Sequence, residues 1–143
     1  MSDLLNFALI GLGVFLGYQI LNTNPTTESF TNVSLDGSMI TKLNDGSLQL
    51  TSSKNYNGVL VTIRADWCGY CRELKKNIDV AMKIKPFTVL NFDATDNKNP
   101  KVSSVLKLLN VSSFPTLFKV SSNNILVPYT GSRNPSDLAK NFS

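Results

Sequence analysis

Val59-Leu60-Val61-Thr62-Ile63-Arg64-Ala65-Asp66-Trp67-Cys68-Gly69-Tyr70-Cys71-Arg72-Glu73-Leu74 joins three patterns in one short run. Its first five residues are mostly β-branched and almost wholly apolar, as expected of a strand buried on both faces. Two cysteines follow, separated by two residues. Beyond them Leu74, Ile78, Ala81 and Met82 recur at helical spacing, while Lys75, Lys76 and Asp79 fall on other faces. A strand therefore runs straight into Cys-Gly-Tyr-Cys and on into a helix. Such an arrangement puts Cys68 at a helix N-terminus, where unpaired N–H groups and the macrodipole favour negative charge. The thiolate is the nucleophilic form of cysteine, so Cys68 is the expected attacking sulfur. Cys71, one turn later, is expected to be deeper and less reactive. It can displace a partner held on Cys68 as a mixed disulfide and close the ring. An inert disulfide or a pair of core thiols is the competing reading of this spacing.

Outward from this run, Phe87-Thr88-Val89-Leu90-Asn91-Phe92 reads as a second buried strand. Asn99-Pro100 is a helix start, followed by Val102, Val105, Leu106 and Leu109 on one face, with Asn110 as a left-handed stop. Thr116–Val120 and Ile125–Tyr129 read as strands joined by a Ser/Asn turn, a hairpin. Asn134-Pro135-Ser136-Asp137 opens a short last helix. On the other side, Met39–Leu43 reads as an edge strand, and Asn44-Asp45-Gly46 is turn chemistry. The expected order is β, (α), β, α, β, α, β, β, α, with the bracketed helix lying before Val59. That is an α/β domain with a mixed central sheet flanked by helices.

Further out lies Leu4–Leu21, LLNFALIGLGVFLGYQIL, interrupted only by Asn6 and Gln19. As a helix it would span about 27 Å at roughly 1.5 Å per residue, against a hydrocarbon core of roughly 30 Å. It reads as an N-terminal transmembrane anchor over residues 1–21. A cleaved signal peptide is disfavoured by Asp3, and by the lack of a small-residue cleavage site. A buried soluble helix is the other alternative. Gly13 and Gly17 have the G-x-x-x-G spacing that lets two such helices approach, so an anchor-mediated homodimer is an open expectation. Residues 22–38, polar and aperiodic, read as a flexible linker, leaving 39–143 as the domain. No Lys or Arg precedes Lys42, and the matches to the glycosylation pattern at Asn32, Asn110 and Asn141 are expected by chance in so Asn-rich a chain. Neither fixes topology.

Two residue counts exclude much. The chain has two cysteines and no histidine, which removes imidazole bases, His metal sites and His-based triads. Two sulfurs do not complete a structural zinc site, and Arg72 stands where c-type haem attachment needs His. The net charge of +4 is spread among acids with no basic run, which argues against nucleic acid as a partner. Thiol–disulfide exchange requires no metal or organic cofactor.

Ala65-Asp66-Trp67-Cys68-Gly69-Tyr70-Cys71 resembles the active-site signature of thioredoxins and of the thioredoxin-like domains of protein disulfide isomerases. Phe114-Pro115-Thr116 is similar to the family's cis-proline loop. Tyr129-Thr130-Gly131-Ser132-Arg133 is similar to the Tyr-x-Gly-x-Arg that follows the last strand of disulfide-isomerase domains. The resemblance implies a thioredoxin fold over Met39–Ser143 and a thiol–disulfide oxidoreductase acting on protein substrates. Cys68 and Cys71 would be catalytic, and Trp67, Gly69, Tyr70, Phe114 and Pro115 would contact the substrate. It also implies a redox domain on the lumenal or external side of the membrane, where disulfides persist.

This sequence departs from the family at informative places. The buried acid six residues before the first cysteine is Thr62 here. Its partner lysine aligns with Val89, so the buried charge pair is expected to be missing and the release of the resolving proton to be slower. Arg64 replaces the usual aromatic residue, and strand alternation leaves its direction open between Cys68 and solvent. Lys76 stands where many relatives have a helix-kinking proline. Arg72 and Lys75 read as a solvated helix face. The missing acid keeps alive an alternative of another class, a non-catalytic binding module with a structural disulfide.

Overall fold

The computed structural model describes residues 32–143. The expected anchor Leu4–Leu21 and its Gly13/Gly17 face lie outside them. Among the described residues, no helix is long and apolar enough to cross a membrane.

The described residues form strands β1 (Val33–Ser34), β2 (Ile40–Lys42), β3 (Leu48–Leu50), β4 (Leu60–Arg64), β5 (Val89–Asp93), β6 (Thr116–Val120) and β7 (Ile125–Pro128). The helices are α1 (Gly69–Ile84), α2 (Pro100–Leu108) and α3 (Pro135–Asn141). One mixed sheet runs β1-β5-β4-β6-β7-β3-β2. β5 is parallel to both β1 and β4, whereas the remaining neighbours are antiparallel.

β4 is central, with four of its five residues buried, three of them apolar, and both faces covered. Val61 and Ile63 look toward α2, packing with Leu90, Phe92, Phe118 and Val105. Leu60 looks the other way, onto Leu74 and Ala81 of α1 and Leu138 and Phe142 at the end of α3. Period-two alternation then puts Thr62 on the α1 side. The helix starts follow the capping chemistry read from sequence. Asn99 Oδ1 accepts the Lys101 N–H and Asn134 Oδ1 the Ser136 N–H, each with proline in the first turn. α2 stops at Asn110, at φ 55°.

Two expectations are corrected. The bracketed helix before β4 is absent, and β3 takes its place. Asp45-Gly46 reverses the chain, with Gly46 at φ 89°, and Ile40 pairs with Leu50. The domain also begins earlier than Met39. Residues 33–38, assigned to the linker, contribute an edge strand paired to β5 and place Leu35 in the core.

Candidate active site

β4 ends at Arg64, and the segment Ala65–Trp67 delivers Cys68 to the start of α1. Cys68 caps that helix: its sulfur accepts the Cys71 N–H at 3.2 Å, taking the place of the usual oxygen. Its thiol also reaches the Phe114 carbonyl at 3.6 Å. Both cysteines are free. Cys68 is 7% exposed and Cys71, one turn in, 2%. Ala65, Cys68, Cys71 and Phe114 make a small apolar cluster of their own. Burial, and then the hydrogen bond with Cys68, push the Cys71 thiol up to about 11, against weaker downward pulls from the Ala65 backbone and the Arg64 charge. The two sulfurs thus differ in depth before any partner arrives.

The rim is built from the residues singled out in the sequence, with unequal parts. Trp67 is 55% exposed. Its indole N–H donates to the Thr95 carbonyl at 2.9 Å, and its ring meets Phe114 edge-on at 5.6 Å. Tyr70 is 79% exposed and stands free beside Cys68. The Phe114–Pro115 peptide is cis, and the Phe114 carbonyl faces the Cys68 thiol. Gly69 is not demanded by crowding, since a Cβ there would meet nothing closer than 3.8 Å. Gly131 is: the Tyr129 ring lies over it, 2.8 Å from where a Cβ would stand. Tyr129 in turn donates to the Ser132 carbonyl at 2.6 Å, and Arg133 Nη2 reaches the Pro115 carbonyl at 3.4 Å. The Tyr-x-Gly-x-Arg segment is therefore a brace for the proline loop. Arg72, read as a solvated side chain, also ties its guanidinium to the Asp66 carbonyl at 3.0 Å.

Behind Cys71 a cleft of about 640 Å³ opens between α1 and the sheet, lined by Thr62, Arg64, Asn91, Lys75 and Asp79 among others. Thr62 is buried, and its hydroxyl donates to Asn91 Oδ1 at 2.8 Å. Arg64 Nε donates to the same oxygen at 2.9 Å. The residue facing Thr62 is thus Asn91, whereas Val89 is level with Leu60. Arg64 lines the cleft together with Cys71 and is part-buried. The signal for Asn91 was present in the sequence, as a polar residue two positions after Val89 on the same face of a buried strand. Among the described residues, no three His, Cys, Asp or Glu side chains come together as a metal cage.

The thioredoxin family profile matches residues 40–143. The chain belongs to the thioredoxin family. It is 31% identical over 127 residues to a protein disulfide-isomerase of Arthroderma benhamiae, covering 74% of this chain and 22% of that protein. With protein disulfide isomerase-like 1-1 of Arabidopsis thaliana it is 37% identical over 94 residues, 62% of this chain and 17% of the relative. This thioredoxin-family chain therefore spans about a fifth of the length of the curated relatives it matches. Full-length ERdj5 has the same fold over 85% of this chain and 17% of its own, with a TM-score of 0.51 at 19% identity.

Proposed function

We propose that this chain is a thiol–disulfide oxidoreductase acting on cysteines of other polypeptides, with Cys68 attacking and Cys71 resolving. The observation that carries the reading is the asymmetry of two free thiols at the start of α1, one capping the helix near the surface and one a turn deeper. Attack by the Cys68 thiolate on a substrate disulfide forms one S–S bond and expels one substrate thiolate, which takes a proton from water. Cys71 then gives up its proton and attacks the Cys68 sulfur. The mixed bond breaks, the second substrate thiol leaves, and two electrons have passed from the pair to the substrate. Run backwards, the same steps form a substrate disulfide. Trp67, Tyr70, Phe114 and the backbone at Pro115 line the approach of an extended chain.

The names of the disulfide-isomerase relatives support disulfide formation or isomerisation as the direction. A reduction potential between roughly −120 and −200 mV agrees with that, whereas about −250 to −280 mV would make it a reductant. Thr62 in place of a buried acid is the observation favouring the alternative, a binding module with a structural disulfide. Trapping separates the two. Full-length Cys71→Ser is expected to accumulate mixed disulfides through Cys68 on incubation with oxidised protein substrates, and none forming would refute the enzyme. The apolar run Leu4–Leu21 supports tethering to a membrane, with the redox domain outside or in the lumen and with pairing through Gly13 and Gly17. Protease accessibility of the domain in sealed vesicles tests the side, and alkaline extraction tests the tether.

A further inference from the structure

We infer that Arg64 is a positioning residue for the resolving step: held over the cleft by Asn91 and Asp66, its fixed positive charge favours the thiolate of Cys71 as that sulfur attacks Cys68. The inference rests on the reading that Cys71 resolves the mixed disulfide.

A thiol buried as Cys71 is must lose its proton in surroundings that solvate a sulfur anion poorly. The charged groups around it are few enough to weigh one by one. On its own helix, Lys75, Asp79 and Lys83 line the outer cleft, and the acid opposes the two flexible ammonium groups. From β5, the Asp93 carboxylate is engaged by the backbone and hydroxyl of Thr95, which hold its pKa below the usual value. On the far side, Arg133 is drawn to the Pro115 carbonyl. Cys68 is the other sulfur, and at this step it is bonded to the partner and carries no charge. Arg64 differs from all of these in being fixed from within. It shares the α1-facing side of β4 with Thr62, and the Asn91 amide oxygen receives both side chains. Its Nη1 lies 3.6 Å from Asp66 Oδ1, with Arg64 only 29% exposed and Asp66 72% exposed. Asp66 therefore sits in water, where its charge is well screened, while Asp93, level with Arg64 on β5, is the second acid that feels the guanidinium, itself only part-exposed.

A guanidinium does not give up its proton in proteins. Arg64 therefore works by charge and not by proton transfer, and the Cys71 proton leaves to water in the cleft. The consequence is specific. Removing the charge should slide the pH profile of resolution along the pH axis without changing its slope.

The test mixes the reduced full-length chain with one equivalent of dithiobis-nitrobenzoate in a stopped-flow instrument. Attack by Cys68 releases one coloured thiolate, and ring closure by Cys71 releases the second, so the slower phase isolates resolution. In Arg64→Gln that phase is expected to be about threefold slower at pH 7, with its profile moved up by about half a pH unit, less than a directly contacting opposite charge contributes. Arg64→Lys should recover most of the rate. Asp66→Asn, at an exposed position that carries little folding risk, should move the profile the other way and speed the phase about twofold. Overlay of the Arg64→Gln and wild-type profiles would overturn the inference, as would Arg64→Lys behaving like Arg64→Gln. If Arg64→Gln does not fold, Asp66→Asn decides, and no acceleration there overturns it. Wild type releasing only one coloured thiolate would instead overturn the exchange reading itself.

Discussion

Thr62→Glu restores a carboxylate beneath the resolving cysteine, and its effect can be worked from the cleft. Burial holds the Cys71 thiol above its ordinary value, at about 11 in the free dithiol, and that burial persists in the mixed disulfide, so at pH 7 the attacking thiolate is scarce. Thr62 lines the same cleft as Cys71, and about 640 Å³ of open space leaves room for the longer side chain. A positioned base is worth about 10²–10⁴ in rate. Arg64, sharing Asn91 Oδ1 with Thr62, would weaken the new base, so the gain belongs near the lower end, about a hundredfold. The carboxylate also repels a thiolate. That repulsion is removed in the step that matters, because the carboxyl has taken the proton as the thiolate forms. Loss of the Thr62–Asn91 bond should cost about 1–3 kcal/mol of stability, which urea unfolding measures. The assay is the second phase of thiolate release after mixing with one equivalent of the aromatic disulfide. The gain should fade at alkaline pH, where the thiolate is no longer scarce. A folded variant whose second phase is unchanged or slower at pH 7 would refute the reasoning.

The pH dependence of the unmodified chain follows from the same group: the second phase should rise steeply with pH above 7 and level only above the free-thiol value of 9.0, because burial still raises the Cys71 thiol. The fold holds the Cys71 proton that a free thiol, at 9.0, would release. Its contribution to stability is therefore full below about pH 9 and is lost as pH climbs through 11. The melting temperature of the reduced protein should fall across that window, and by less in Cys71→Ala. Asn91→Leu removes the acceptor shared by Thr62 and Arg64 and strands a buried hydroxyl, so urea unfolding should show a loss of about 1–3 kcal/mol. Gly131→Ala drives a methyl into the Tyr129 ring and should cost about 1–3 kcal/mol by the same measurement. Unaltered stability there would mean that the ring is not packed as described.

The elements around the cysteines were legible because local chemistry specifies them. A buried strand must be apolar throughout, and asparagine before proline announces a helix start, so β4, α1, α2 and α3 could be read directly. β3 could not: three residues carry too little periodicity to show alternation, and its place is fixed by pairing with β2 and β7, which is a tertiary fact. β1 was lost in the same way, its two residues gaining their identity from β5. At the site, Cys68 and Cys71 were legible from spacing and chemistry, whereas Trp67 and Phe114 entered only through the resemblance to the thioredoxin family. Asn91 was legible as a polar residue on a buried strand but not as the partner of Thr62, because which residue of β5 stands level with Thr62 depends on a register that two parallel strands settle only when packed. The direction of Arg64 was open for a related reason. Alternation along β4 names its face, but the partner that holds it comes from another strand.

Trp67 is the chain's single tryptophan, and it is neither sunk in the core nor loose in water. Its indole is pinned by the Thr95 carbonyl and by the edge of Phe114, one residue from Cys68. All tryptophan emission from this molecule therefore originates at one place, beside the pair. A disulfide accepts an electron from an excited indole more readily than a thiol does, so closing the Cys68–Cys71 ring should dim that light and opening it restore it. The protein carries its own optical gauge of oxidation, readable in a cuvette without a dye or an engineered probe.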